Sequence, residues 1–140
     1  MTSPRPNLLL DTCALLYVAD GAKMQPEARA EVSEAAYDGR LYVSPMSAWE
    51  IGKSVSKNRL KLPLAPLEFF NRFMRLMKAK LTEVSPEILV RSSSLPGALH
   101  GDPMDRILVA TARTLDLVLV TSDAPLLKYG ADGNLRTLAC

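Results

Sequence analysis

At 140 residues, 48% hydrophobic and 23% charged, the chain has room for one globular domain with a real core and none for a second. A formal charge of +2 excludes a general basic coat, so any contact with nucleic acid must come from local patches. No apolar run approaches the roughly 20 residues that cross a bilayer, which excludes a spanning helix and points to a cytoplasmic protein without membrane contact.

In chain order, Met1 to Pro6 lacks the charged start and long apolar run of a signal peptide. Asn7 to Leu10 is a short apolar strand broken by Asp11, and Thr12 to Val18 reads as the start of a helix with Ala14, Leu15 and Leu16. An acid thus follows a strand. Cys13 and Cys140 are too few for a disulfide framework or a metal cluster and read as reduced thiols, Cys13 as a small apolar residue. Asp20 and Gly21 form a loop. Pro26 to Tyr37 is a helix with Ala28, Val32, Ala35 and Ala36 on its inner side, ended by Asp38-Gly39. Leu41 to Val43 is the next strand.

The helix that follows carries Trp49, Glu50, Ile51, Lys53 and Lys57. If it starts at Ser47, Glu50 closes a capping box and only bonds back to the backbone. If it starts after Ser44, with Pro45 in the first position, Glu50 lies in the second turn and is free to enter a cleft. The second start is favoured. Lys57 then lies nearly under Glu50, with Lys53 about 60 degrees away at about 100 degrees per residue, a pattern that salt bridging also explains.

Asn58 to Pro66 is a solvated linker with Arg59 and Lys61. Leu67 to Lys80 is a helix whose Leu67, Phe70, Phe73, Met74 and Met77 form a stripe that Phe69 and Leu76 widen, enough to cover core and offer a face to a partner. Leu81 to Val84 is a strand, Pro86 to Ser93 a helix, and Leu95-Pro96-Gly97 a turn. Asp102 caps the next helix, Pro103 suits its first position, and Asp105 sits in the first turn, with Met104, Ile107, Leu108, Thr111 and Leu115 forming the apolar stripe. Leu117 to Val120 is aliphatic without polar alternation, so it reads as a strand covered on both faces, and Asp123 follows its carboxyl end. Ala124 to Lys128 is a short helix and Arg136 to Leu138 an edge strand.

Strands alternating with helices predict an α/β fold in three layers, a central mostly parallel five-stranded sheet with helices on both faces. Ligand sites in such sheets form beyond the carboxyl ends of the strands. Singly, Asp105 could serve only the helix dipole and Asp123 only a turn before Pro125. Together, Asp11, Glu50, Asp105 and Asp123 all belong to one sheet edge. Two like charges about 4 Å apart repel by roughly 4 kcal/mol at an effective dielectric near 20, so four carboxylates call for a hard divalent cation, Mg²⁺ or Mn²⁺.

LLLDTCALLY, SAWEIGKSVSKNRLKLP, HGDPMDRILVATA and VTSDAPL together resemble the PIN domain, most closely the VapC-type toxin ribonucleases of bacterial toxin–antitoxin pairs. The likeness covers nearly the whole chain, as a single PIN domain over residues 1–140. It implies a five-stranded parallel sheet, Mg²⁺ or Mn²⁺ dependence, endonucleolytic RNA cleavage, a homodimer, and neutralisation by a cognate VapB-type antitoxin. Residue by residue, it implies that the catalytic and metal-holding acids are Asp11, Glu50, Asp105 and Asp123, with the Thr12 and Thr121 hydroxyls beside the first and last of them. Gly101 departs from the pattern, where a basic residue often stands. Asp102 is assigned to capping and His100 to anchoring the loop rather than to general-base work.

The expected chemistry is metal-assisted phosphodiester hydrolysis without a side-chain nucleophile. Lys53, Lys57, Arg59, Lys61 and Arg106 are candidates for contacts with the RNA backbone, against the simpler reading of a solvated surface. A haloacid-dehalogenase-type phosphatase would need an acid where Cys13 stands, a response-regulator receiver an acidic pair before Asp11, and a P-loop enzyme a glycine-rich motif that is missing. The alternative from another class is a catalytically silent PIN-fold binding module.

Overall fold

The structure, a computed structural model, describes residues 5–21 and 24–140; residues 1–4, on which the signal-peptide expectation partly rests, lie outside the described residues. In chain order the elements are β1 (Leu8–Leu10), α1 (Thr12–Asp20), α2 (Pro26–Asp38), β2 (Leu41–Val43), α3 (Pro45–Ser56), α4 (Pro66–Met77), β3 (Lys80–Leu81), α5 (Pro86–Ser92), α6 (Pro103–Leu115), β4 (Val118–Thr121), α7 (Ala124–Ala131) and β5 (Thr137–Ala139). The strands form one sheet in the order β3-β2-β1-β4-β5, every pairing parallel, with Leu10 beside Val43 on one side and Val120 on the other. The expected three-layer α/β architecture is the one observed.

Side-chain alternation along β1 divides the core. Leu8 and Leu10 join Leu41, Val43 and Val120 under helices α1 to α4, through Leu15, Val32, Ile51, Phe70 and Phe73. Leu9 and Leu119 point the other way, onto Leu108 and Val109 of α6 and Leu126 and Tyr129 of α7. A strand buried on both faces has no use for polar alternation, which is why β1 and β4 read as plain aliphatic runs. Each such leucine contributes roughly 1.5–3 kcal/mol by leaving water. Helix α5 packs on α6, and Val109, Ala110 and Ala112 are buried along with Met104, Leu108 and Thr111 of the predicted stripe. Leu115, placed on that stripe by its spacing, lies past the covered surface and is 42% exposed.

Helix starts are the sharpest local features. Pro26, Pro45, Pro66, Pro86, Pro103 and Pro125 occupy the first or second helical position, where a missing N–H costs nothing. Asp11, Ser44, Ser85, Asp102 and Asp123 each turn a side-chain oxygen onto a first-turn N–H. Because all strands run the same way, α1, α3 and α7 begin directly from the carboxyl ends of β1, β2 and β4, and α6, running back to feed β4, begins at that same edge.

Several boundaries differ from the sequence reading. Asp20 is the last residue of α1 and not part of a loop. The Phe/Met helix begins at Pro66, which was given to the linker, and stops at Met77, where Lys78 takes the left-handed conformation at φ 50° and closes the last turn. Lys80 therefore belongs to β3, and the expected strand over Leu81 to Val84 shortens to Lys80–Leu81. β4 and β5 each sit one residue later than expected, and α7 runs one turn further. Among the described residues no helix is long and apolar enough to cross a membrane.

Candidate metal and catalytic site

Asp11 is the N-cap of α1 and is buried, at 5% exposure. Its Oδ1 accepts the Ala14 N–H at 2.7 Å, and its Oδ2 accepts the Thr121 hydroxyl. That hydroxyl in turn accepts the Asp123 N–H at 3.0 Å. Thr121, the last residue of β4, thus ties the acid after β1 to the acid after β4. Asp123 caps α7 through the Leu126 N–H at 3.1 Å.

Asp105 stands in the first turn of α6, its N–H donated to the capping carboxylate of Asp102 at 3.1 Å. Its Oδ2 lies 3.3 Å from His100 Nε2. Ligand atoms of His100, Asp105 and Asp123 all lie within 4.8 Å of one another. Glu50 stands in the second turn of α3, outside that group of three, and its charge acts on Asp11 and Asp105. Ser44 is the cap of that helix, and the Ser47 N–H goes to the Ser44 carbonyl at 3.0 Å, so no capping box engages Glu50.

Charge couples the four acids. Burial pushes the Asp11 carboxyl above the usual range; bonds from Thr121 and Ala14 hold it down, while the charges of Glu50 and Asp123 raise it. Asp105 is pushed up to about 6, chiefly by burial and then by the charges of Asp102, Asp123 and Glu50, with His100 acting the other way. Among the described residues no lysine or arginine pairs with any of the four. The N-termini of α1, α6 and α7 face the cluster and offset part of this repulsion. The carboxylate donors are hard oxygen, part-buried and short of positive charge, which fits Mg²⁺ or Mn²⁺.

Thr12 Oγ1 donates to Ser47 Oγ at 2.9 Å, so the hydroxyl beside the first acid pins α1 to the helix that carries Glu50. Cys13 is exposed rather than packed as a small apolar residue. Its thiol is pushed up to about 11, first by loss of solvent and then by Asp11, Glu50, Asp123 and Asp105, so it is no nucleophile at neutral pH.

Lys53, Lys57, Arg59 and Lys61 are exposed on the later turns of α3 and the segment that follows it, which lead away from this edge. Lys53 Nζ lies 4.7 Å over the ring of Trp49, itself 53% exposed, a cation–aromatic pair that i,i+4 spacing allows. Arg106 is placed differently: its Nε donates to the Ser92 carbonyl at 2.8 Å and its Nη1 to those of Leu99 and His100 at 3.1 and 3.3 Å. It clamps the loop before α6, so two of its three nitrogens are already engaged. His100 is the residue the sequence left outside the cluster; the only available signal was its place five residues before Asp105.

Removing the Thr121 hydroxyl while keeping its shape tests the tie between strands. Thr121→Val leaves an Asp11 oxygen and the Asp123 N–H without their partner and is expected to cost about 1–3 kcal/mol in urea unfolding, with Thr121→Ser retaining most of the stability. Equal stability of the valine variant and the wild type would show the tie to be idle.

The PIN domain profile matches residues 8–131. No curated protein matches the sequence. Among solved structures, VapBC2 from Rickettsia felis bound to a DNA fragment from their promoter superposes with a TM-score of 0.69 at 17% identity, over 94% of this chain and 97% of that one. DNA-bound VapBC from Salmonella typhimurium gives 0.67 at 15% identity, over 96% and 98%. At such identities the likeness is one of fold. The profile match is independent of that superposition and spans β1 through α7, taking in all four acids: the chain belongs to the PIN domain family.

Proposed function

We propose that the chain is a Mg²⁺- or Mn²⁺-dependent endoribonuclease, the toxin of a VapBC-type toxin–antitoxin pair, acting in the cytoplasm with its 140 residues as one PIN domain. What supports this reading is the approach of Asp105 and Asp123 to within 4.8 Å of each other, with Asp11 tied to the backbone of Asp123 through Thr121 and the charge of Glu50 felt by Asp11 and Asp105, and no lysine or arginine paired with any of the four among the described residues. A divalent cation, when bound, supplies Lewis-acid stabilisation of the charge that develops on the phosphoryl oxygens. Asp11, Asp105 and Asp123 would hold it. Glu50, on a separate helix, orients the attacking water and takes its proton. Thr121 keeps Asp11 aimed and Thr12 sets the angle of α3. Lys53, Lys57 and Arg59 bind the RNA backbone outside the cleft, which positions substrate without reading its sequence.

The partner is a VapB-type antitoxin. Both structural neighbours are VapBC assemblies, and this chain has a surface suited to an apolar segment: a groove of about 410 Å³ between the end of α1 and α4, lined by Val18, Phe69, Phe73, Leu76 and Met77 with Arg72 beside them. Exposed Leu89 and Val90 on α5 leave a separate apolar patch for a homodimer contact.

The test is cleavage of labelled RNA by the purified chain, with Mn²⁺ and with chelator. Cleavage only with metal, reduced by about 100-fold or more in kcat when Glu50→Gln removes the base, is the expected result. Intact RNA in the presence of Mn²⁺, although the metal raises the melting temperature, would overturn the nuclease reading in favour of a PIN-fold binding module.

A further inference from the structure

His100 is the only histidine of the chain. Its ring is held from both sides. Nδ1 accepts the backbone N–H of Asp102 at 3.3 Å, and Nε2 lies 3.3 Å from Asp105 Oδ2. Its backbone is held as well, because Arg106 of α6 clamps the carbonyls of Leu99 and His100. The loop that presents the ring is therefore fastened to the same helix whose acid the ring touches.

Two roles fit a histidine beside two carboxylates, and hydrogen-bond accounting separates them. A neutral imidazole carries one N–H and one lone pair. A backbone N–H aimed at Nδ1 uses the lone pair there and leaves the proton on Nε2, pointing at Asp105. In that tautomer Nε2 has nothing to offer a cation, close as it is to the oxygens of Asp105 and Asp123. It can only donate to an acid that does.

We propose that His100 is a positioning residue: its Nε2–H fixes the Asp105 carboxylate in the orientation that faces Asp123, and so sets the affinity of the acidic cluster for a divalent cation. Asp105 needs such a partner more than Asp11 and Asp123 do. The Asp11 carboxylate is held by a cap bond to its own helix and by the Thr121 hydroxyl, and that of Asp123 by its cap bond, whereas Asp105 lies inside its helix and its carboxylate makes no cap bond. Donors placed behind a ligand in this way change metal affinity by about 10–100-fold.

The inference rests on the reading of the acids as a cation site, so the wild type is titrated first with Mn²⁺ by calorimetry. No binding there would sink that reading and this one with it. Given binding, His100→Ala is expected to weaken Mn²⁺ by about 10-fold or more, and His100→Gln, whose amide N–H reaches the place of Nε2–H, to stay within about threefold of wild type. His100→Asn reaches only the place of Nδ1 and should behave like alanine. The Gln/Asn contrast survives even if the alanine variant fails to fold. A merely structural latch would lower the melting temperature of the metal-free variants and leave the Mn²⁺ dissociation constant alone. Equal Mn²⁺ affinity in wild type and alanine, or an equal loss in alanine and glutamine, overturns the proposal; an equal loss that is larger for Zn²⁺ than for Mg²⁺ would make Nε2 a ligand.

Discussion

Asp11→Asn is expected to abolish metal-dependent RNA cleavage, a fall of at least about 100-fold, and to make the metal-free protein more stable. Both halves follow from one geometry. Asp11 is the most buried of the four acids, its charge is disfavoured first by burial, and Glu50 and Asp123 repel it. Asparagine keeps the volume and an oxygen for the Ala14 N–H, but removes the charge that a cation needs and that the apo protein must bear. The amide gives up the bond from Thr121 in its charged form, worth about 1.5–3 kcal/mol, so the net gain is a difference between opposing effects. Relief of desolvation, the largest influence on this group, decides the sign, and the melting temperature of the metal-free variant is expected to rise. A thermal melt in chelator and a cleavage assay in Mn²⁺ read the two halves separately. A variant less stable than wild type and still active would contradict both.

The same geometry explains how much of the site the sequence disclosed. Asp11 and Asp123 were legible because each ends an aliphatic run that can only be a doubly covered strand, and parallel strands put such ends together. Glu50 was legible once Ser44-Pro45 fixed the start of α3. His100 was not, because its distance to Asp105 is set by a ten-residue loop, Ser93 to Asp102, that Arg106 ties down through three carbonyls, and backbone acceptors leave no trace in side-chain spacing. The Thr12–Ser47 bond joins residues 35 apart, with nothing local to announce it. The end of α4 was overrun for a similar reason. Its apolar period continues through Met77 to Ala79, and the stop is a left-handed lysine, Lys78, where a glycine would have given the signal.

Acidification is expected to stabilise the metal-free protein, against the usual trend for a chain rich in carboxylates. Asp105 has its pKa raised from 3.8 to about 6 on folding, so the folded state binds the proton more tightly than the unfolded chain. The sign follows: the stabilising contribution is fully present below about pH 4, declines as pH rises toward 6, and is gone above it. At 1.36 kcal/mol per unit, and with the side chain only 26% exposed, the change is on the order of 2–3 kcal/mol. Asp11, raised by burial, adds in the same direction. Working against it are surface pairs such as Arg40–Asp38 and Arg136–Asp116, each with a solvent-exposed carboxylate. Exposed pairs contribute about 0–1 kcal/mol each, so the buried acids win between pH 7 and 5. A divalent cation acts as the proton does, by cancelling the same charge, and the two compete. Mn²⁺ at about 100 times its dissociation constant should add about 2.7 kcal/mol at pH 7.5, and the same concentration should add progressively less as pH falls through 6. Melting curves at pH 5 and 7.5, each with Mn²⁺ and with chelator, measure all four corners. If the chelated protein is less stable at pH 5 than at 7.5, the acids are not the strained group described here; if the Mn²⁺ increment is the same at both, the cation binds somewhere other than on Asp105.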